Sequence, residues 1–259
     1  MFWKRKSKPV PPPPASFAIP AGQRVYAIGD IHGRDDLFAE LIALIRADNA
    51  ALGPARVSLI LLGDLVDRGP RSAEVVERAL GLRGEFDELR LLIGNHEECF
   101  LAALTGDVRR LRYFMRIGGE ATVQSYWNDD TNLADATFEE VAEKLPPMVP
   151  QAHVDFLGNG EDVIAIGDYV FVHAGIRPGV PLERQALADL RWIRDEFLGD
   201  GRDHGVMVVH GHTIQNDVDE CPNRIGIDTG AYKSGVLTAI ALEGTDRRYL
   251  QTAGLVEAA

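Results

Sequence analysis

The chain has 259 residues, 46% apolar content and a formal charge of −12. That length permits a large core without disulfides or a structural metal to hold it, and leaves one or two domains open. Two cysteines, Cys99 and Cys221, are too few for a disulfide framework and lack metal-ligand spacing, which predicts a reducing, cytoplasmic setting.

Four basic residues, Lys4, Arg5, Lys6 and Lys8, open the chain; setting them aside leaves 23 basic against 39 acidic residues. A chain of that sign is a poor general binder of nucleic acid, and stable membrane association is not expected. No apolar run approaches the roughly 20 residues of a membrane span. Pro9 and Pro11 to Pro14 come after the basic start, with no apolar stretch of the signal-peptide kind. Residues 1–21 therefore read as a disordered, basic, Pro-rich extension, and 22–259 as one catalytic domain.

Val25 to Ile28 is a short apolar strand running into Gly29-Asp30-Ile31-His32-Gly33. Leu37, Phe38, Leu41, Ile42 and Ile45 then recur on one face of a helix. Val57 to Leu62 is a second strand, leading into Gly63-Asp64-Leu65-Val66-Asp67-Arg68-Gly69, and a helix continues through Val75, Val76, Ala79 and Leu80. Leu89 to Ile93 is a third strand, ending at Gly94-Asn95-His96-Glu97. Strand and helix alternate, which predicts a mainly parallel sheet with its ligand beyond the carboxyl ends of the strands. Residues 97–148 carry helical spacing (Phe100, Leu101, Leu104, Leu111, Phe114, Met115), broken at Gly118-Gly119 and closed by Pro146-Pro147. They predict a packed helical segment that can act as a small cap.

Val163 to Ile166 and Tyr169 to Val172 flank a Gly167-Asp168 turn, and His173-Ala174-Gly175 comes next. Val206 to Val209 leads to His210-Gly211-His212-Thr213. Arg224 to Ile227 and Gly235 to Leu242 read as closing strands. Strands without long helices between them predict a second, antiparallel-rich sheet facing the first.

The strand-end motifs form one chemical inventory. Asp30 and His32 lie two apart, which in an extended segment puts both on one side of the chain, within reach of one cation. Asp64 can bridge two cations through its two oxygens, and Asn95, His173 and His212 complete the second. Oxygen and nitrogen donors without thiolate suit Mn²⁺, Fe or Zn²⁺. Both His210 and His212 are candidates; the loop position favours His212. Arg68 is placed to hold a phosphoryl group bidentately. His96 can serve as general acid with Asp67 fixing its tautomer. Any one of these residues alone is more often a turn former or a packed histidine; it is the joint pattern that argues for a site.

These five motifs, from Arg24 to about Leu242, resemble the signature of the phosphoprotein phosphatase family of metallophosphoesterases, and most of all its bacterial serine/threonine members and lambda phosphatase. The resemblance implies a calcineurin-like four-layer α/β/β/α sandwich and two divalent ions, often manganese. It also implies hydrolysis of phosphorylated proteins or small phosphoesters by a metal-bridging hydroxide. By motif position, Asp30, His32, Asp64, Asn95, His173 and His212 match the metal ligands, and Asp67, Arg68 and His96 the catalytic loop residues. A second phosphate-binding arginine is expected before His212. Trp192-Ile193-Arg194 resembles the Trp-x-Arg of bacterial members and points to Arg194, with Arg177 and Arg191 as rivals.

The same scaffold serves symmetrical diadenosine tetraphosphate hydrolases. Those typically read Gly-Asn-His-Asp and carry a longer insertion after His-Ala-Gly. Glu97 and the short stretch 176–209 therefore rank a protein phosphatase, of serine/threonine or dual specificity, first. An inactive phosphoprotein-binding scaffold ranks last, since no motif residue is missing.

Overall fold

The structure, a computed structural model, describes residues 16–254. Strands β1 (Gln23–Ile28), β2 (Arg56–Leu61) and β3 (Glu88–Leu91) are parallel, joined through helices α1 (Asp35–Ala51) and α2 (Ser72–Gly81). Strand β9 (Thr238–Glu243) pairs antiparallel with β1, and β10 (Asp246–Gln251) with β9. The first sheet thus runs β10-β9-β1-β2-β3. The sequence of β10, Asp-Arg-Arg-Tyr-Leu-Gln, is mostly polar because it forms a partly exposed edge, a composition that suits an edge strand and hides it from hydrophobicity.

The second sheet corrects the antiparallel expectation. Strands β5 (Tyr169–Phe171), β6 (Met207–His210) and β8 (Arg224–Gly226) are parallel, and only β4 (Ile164–Ile166) and β7 (Asp219–Glu220) run against their neighbours. The order is β4-β5-β6-β8-β7. The crossover from β5 to β6 is made by helices too short to register as periodicity, Leu187–Trp192 and Asp195–Leu198.

Alternation along the strands sorts side chains into layers. Val25, Ala27, Ile60 and Leu62 point between the sheets, against Tyr169, Phe171, Met207 and Val209. Tyr26, Ile28, Leu59 and Leu61 point outward to the α1 and α2 layer. Val170, Val172 and Val208 meet Leu190, Ile193 and Phe197 on the far side. This is the four-layer α/β/β/α sandwich of the calcineurin-like type.

Residues 97–148 fold as helices Asn95–Ala103, Val108–Phe114, Glu120–Tyr126 and Phe138–Met148. Their Leu111, Phe114, Val123 and Leu145 belong to the same core as α1 and the first sheet, so the segment is part of the outer helical layer. Among the described residues no helix is long and apolar enough to cross a membrane.

The basic Pro-rich extension lies largely outside the described residues, but its expected end at residue 21 is too late. Ile19 is 2% exposed and packs between the sheets, where Phe17 meets Tyr169 edge-on at 6.4 Å. Ala18 N donates to the Asp168 carboxylate (2.9 Å) and Ile19 N to Gly244 O (2.8 Å). Averaging over neighbouring prolines concealed two apolar side chains that finish the core. Ile19→Ala is expected to cost about 2 kcal/mol, the low end for truncating a buried isoleucine. Urea denaturation measures it, and a loss below about 0.5 kcal/mol, the scale of an ordinary surface change, sets the packing role aside.

Candidate active site

The carboxyl ends of β1, β2, β5 and β6 and the start of the Asn95–Ala103 helix converge on one buried polar cluster. Its backbone is unusual. The non-glycine residues with positive φ among the described residues are His32 (48°), Asp64 (52°), Asp67 (75°), Arg68 (68°) and His212 (64°). Such conformations are costly for these residue types and collect where a site over-determines them. They also correct the route by which Asp30 and His32 meet. The segment is not extended there: the chain turns after Ile31, and Ile31 N and His32 N both donate to Asp64 O (3.1 and 2.9 Å).

Asp64 stands at the centre. Its Oδ2 lies 3.6 Å from His32 Nε2 and 3.9 Å from His96 Nε2, and its Oδ1 lies 3.4 Å from His173 Nε2. Two groups with metal-compatible spacing result, His32-Asp64-His96 and Asp64-His173-His212, with Asp64 common to both. Asn95 Oδ1 joins the second, 3.1 Å from His173 Nε2 and 2.8 Å from His212 Nδ1. Asp30 stands just aside, accepting from the backbone N–H of His212 at 3.0 Å.

Tautomers are set from behind. His32 Nδ1 donates to Val66 O and His173 Nδ1 to Leu62 O, both at 2.8 Å, which leaves each Nε2 lone pair facing the site. Burial keeps these rings neutral: it pushes His32 well below its ordinary pKa, His173 to about 4 and His212 to about 2. Neutral imidazole is the form that ligates a cation. Burial also raises Asp30 and Asp64, and neighbouring carboxylates add to the effect. His32 Nε2 is buried without a hydrogen-bond partner. Crowded buried carboxylates beside an unpartnered imidazole nitrogen are what a divalent cation satisfies, so these donors fit the implied metal pair.

His210 takes no part. Its ring meets Phe197 edge-on at 5.2 Å in the β6 core, and its Nδ1 lies 3.0 Å from Gly211 O.

Around this centre sit Asp67, Arg68 and His96. His96 Nδ1 is 2.5 Å from Asp67 Oδ2, and His96 Nε2 is 3.1 Å from Arg68 Nη2. Burial pushes Asp67 up to about 8 and His96 down, so the pair favours a single shared proton. The outer helical layer holds this group in ways that sequence reasoning missed. The Thr122 hydroxyl donates to Asp67 Oδ1 (2.6 Å), and Ser72 and Thr122 both accept from Asp67 N. Arg68 N donates to Gly118 O (3.0 Å), and a Cβ on Gly118 (φ 117°) would come within 2.9 Å of Arg68 Cγ. The guanidinium of Arg68 lies 4.9 Å from the Tyr232 ring centre.

Among the arginine candidates, Arg177 is engaged by Asp189 and Glu196, and Arg191 by Asp162 and Glu98. Arg194 is exposed, and its charge adds to burial in lowering both His96 and His212.

Glu97, a clue to substrate in the sequence, has another task in the structure. It is fully buried and accepts four backbone N–H groups, from Asp64 (2.7 Å), Leu65 (2.7 Å), Val66 (3.3 Å) and Gly94 (2.9 Å). It clamps the Asp64 loop to the Asn95 loop, and both its carboxylate oxygens are taken up by backbone N–H groups.

The profile of the calcineurin-like phosphoesterase family matches residues 23–231. The chain belongs to that family. A symmetrical bis(5'-nucleosyl)-tetraphosphatase of Acidovorax ebreus (strain TPSY) is 44% identical over 156 residues, 60% of this chain and 44% of the relative. A protein of the same name from Chromobacterium violaceum is 30% identical over 154 residues, again 60% and 44%. The chain thus spans less than half the length of these relatives. Among solved structures, a "putative diadenosine tetraphosphatase" superposes with a TM-score of 0.59 at 22% identity, covering 91% of this chain and 98% of that one. A protein serine/threonine phosphatase from Saccharomyces cerevisiae gives 0.53 at 13% identity, covering 92% and 82%. Both structural likenesses speak to the fold alone.

Proposed function

We propose that this chain hydrolyses phosphoric esters and anhydrides at a pair of divalent cations, manganese being the first to test, with symmetrical dinucleoside tetraphosphates as preferred substrates. The observation that carries the hydrolytic reading is the single Asp64 carboxylate shared by two groups of buried donors. The substrate comes from the 44% identity to symmetrical tetraphosphatases. The sequence alone ranked phosphoproteins first, partly on Glu97. With Glu97 serving as a backbone clamp, that part of the ranking carries no weight.

In this reading Asp30, His32 and Asp64 hold one cation, and Asp64, Asn95, His173 and His212 the other. The pair, when bound, supplies an activated water and offsets the charge of the phosphoryl group. Arg68 and Arg194 hold the phosphoryl oxygens. Once the negative charge of the bound phosphate has drawn a second proton from solvent onto Nε2, His96 gives that proton to the leaving oxygen while Asp67 keeps its Nδ1 protonated. In the structure Arg68 donates to that same Nε2. Arg68 must therefore turn to the phosphate before Nε2 can carry a proton.

A protein phosphatase remains the second reading, favoured by the short stretch 176–209, which leaves little chain for walls around two nucleosides. The test is kcat/KM with Mn²⁺ on diadenosine tetraphosphate and on a phosphoserine peptide. The dinucleotide is expected to lead by at least tenfold, about 1.4 kcal/mol of transition-state binding. A tenfold lead for the peptide makes the phosphatase the better reading.

A further inference from the structure

One buried carboxylate beside the metal ligands has no role in that reading. Strand β8 ends at Gly226, and Ile227 N donates to His210 O at 2.9 Å. The loop after β8 is pressed against the loop after β1: a Cβ on Gly29 would lie 2.5 Å from Ile227 O. This contact delivers Asp228 to the side of Asp30.

Asp228 is 2% exposed. Its backbone O accepts from Gln215 N (3.0 Å), and its Oδ1 accepts from Gly230 N (2.9 Å), so its direction is fixed. Its Oδ2 is buried with no N–H or hydroxyl donor, and the carboxyl group lies within hydrogen-bonding reach of the Asp30 carboxyl, acceptor facing acceptor. An aspartate that only shapes a turn has no reason to bury its second oxygen unpaired beside another carboxylate, since a buried polar atom left unpaired costs stability.

We propose that Asp228 is a further metal-binding carboxylate of this site, offering Oδ2 to the cation that Asp30 and His32 hold. The proposal rests on the two-metal reading. Charge supports it. Asp30 and Asp64 bring two negative charges to two divalent ions, and Asp228 brings a third. Ligand charge is one of the means by which such sites set affinity. The sequence hid this residue because Gly226-Ile227-Asp228-Thr229-Gly230 reads as an ordinary turn after a strand.

The test uses the full chain and manganese alone as the probe. Free Mn²⁺ is measured by electron paramagnetic resonance, and the metal-free protein is melted in parallel. Asp228→Asn is expected to weaken one of the two manganese ions by about 10–100-fold, the range for groups that tune a metal site. The metal-free melting temperature should hold or rise, because the amide still accepts from Gly230 N–H while a buried anion beside Asp30 is gone. Manganese affinity within threefold of wild type overturns the proposal, and so does a fall in metal-free melting temperature with affinity unchanged. Should the amide variant fold poorly, Asp228→Ser, which keeps an acceptor for Gly230, is judged by the same criteria. Asp64→Asn is the control. If it loses manganese while Asp228→Asn does not, only this inference fails; if neither loses manganese, the two-metal reading fails with it.

Discussion

Asp64→Asn is expected to remove turnover and to leave the protein with one manganese ion or none. The two oxygens of Asp64 face different donor groups, Oδ2 towards His32 and Oδ1 towards His173. An amide replaces two anionic oxygens with one neutral oxygen and an NH₂ that no cation accepts. Without a carboxylate common to both donor groups, the chain would hold a metal pair poorly and lose the several kcal/mol of transition-state charge stabilisation that such a pair would supply. About 4 kcal/mol corresponds to roughly 10³-fold in rate. The fold should tolerate the change, because three backbone N–H groups of the loop donate to Glu97, and an amide oxygen at position 64 can keep the bond that Asp64 Oδ1 accepts from His96 N–H. Elemental analysis and a nitrophenyl phosphate assay check both halves. A variant with two ions and near-normal rate removes Asp64 from the centre of the site.

Much of this arrangement was legible in the chain, for identifiable reasons. Val25 to Ile28 and Val57 to Leu62 are apolar on both faces because both faces are covered, so they announce buried parallel strands, and the loops at the carboxyl ends of such strands are where a site is built. Other parts were hidden because they depend on contacts distant in sequence. Thr122 and Ser72 reach Asp67 from two different helices, and no spacing rule connects them. The left-handed backbones of His32, Asp64, Asp67, Arg68 and His212 are imposed by the loops around them; glycine is the residue that ordinarily signals such a conformation, and these are not glycine. The parallel centre of the second sheet was hidden because its crossover helices, Leu187–Trp192 and Asp195–Leu198, are barely a turn or two long.

Substrate choice was the least legible, and Glu97 explains why. A Glu-for-Asp difference beside a catalytic histidine invites a functional reading. Once Glu97 is seen holding four N–H groups, the longer side chain is a matter of span between two loops. Nearer to His96 and Arg68 stand Arg194, whose charge helps lower His96, and Tyr232, whose ring centre lies 4.9 Å from the Arg68 guanidinium. Trp192 Nε1 donates to Glu98 (3.2 Å).

His96→Asn is expected to separate substrates by their leaving groups. His96 Nε2 lies 3.9 Å from Asp64 Oδ2 and 3.1 Å from Arg68 Nη2, which under the proposed roles puts it within reach of a leaving oxygen. An alkoxide leaving group such as serine needs its proton in the transition state, so phosphoserine hydrolysis should fall by about 10²–10⁴-fold, the usual contribution of a general acid. A nitrophenolate leaves without protonation, and its ester should lose far less. A nucleoside diphosphate leaves from a phosphate whose second pKa is about 6, which makes it as good a leaving group as nitrophenolate, so the tetraphosphate is expected to lose as little as the nitrophenyl ester. Steady-state kinetics of the variant on all three substrates tests the ordering. Equal losses on all three would mean that His96 acts by holding Asp64 and the cations in place; its backbone N–H donates to Asp64 Oδ1 at 3.1 Å, but that bond survives the substitution. A graded loss is therefore specific to the imidazole proton, and it also measures how much of the barrier each leaving group asks this chain to remove.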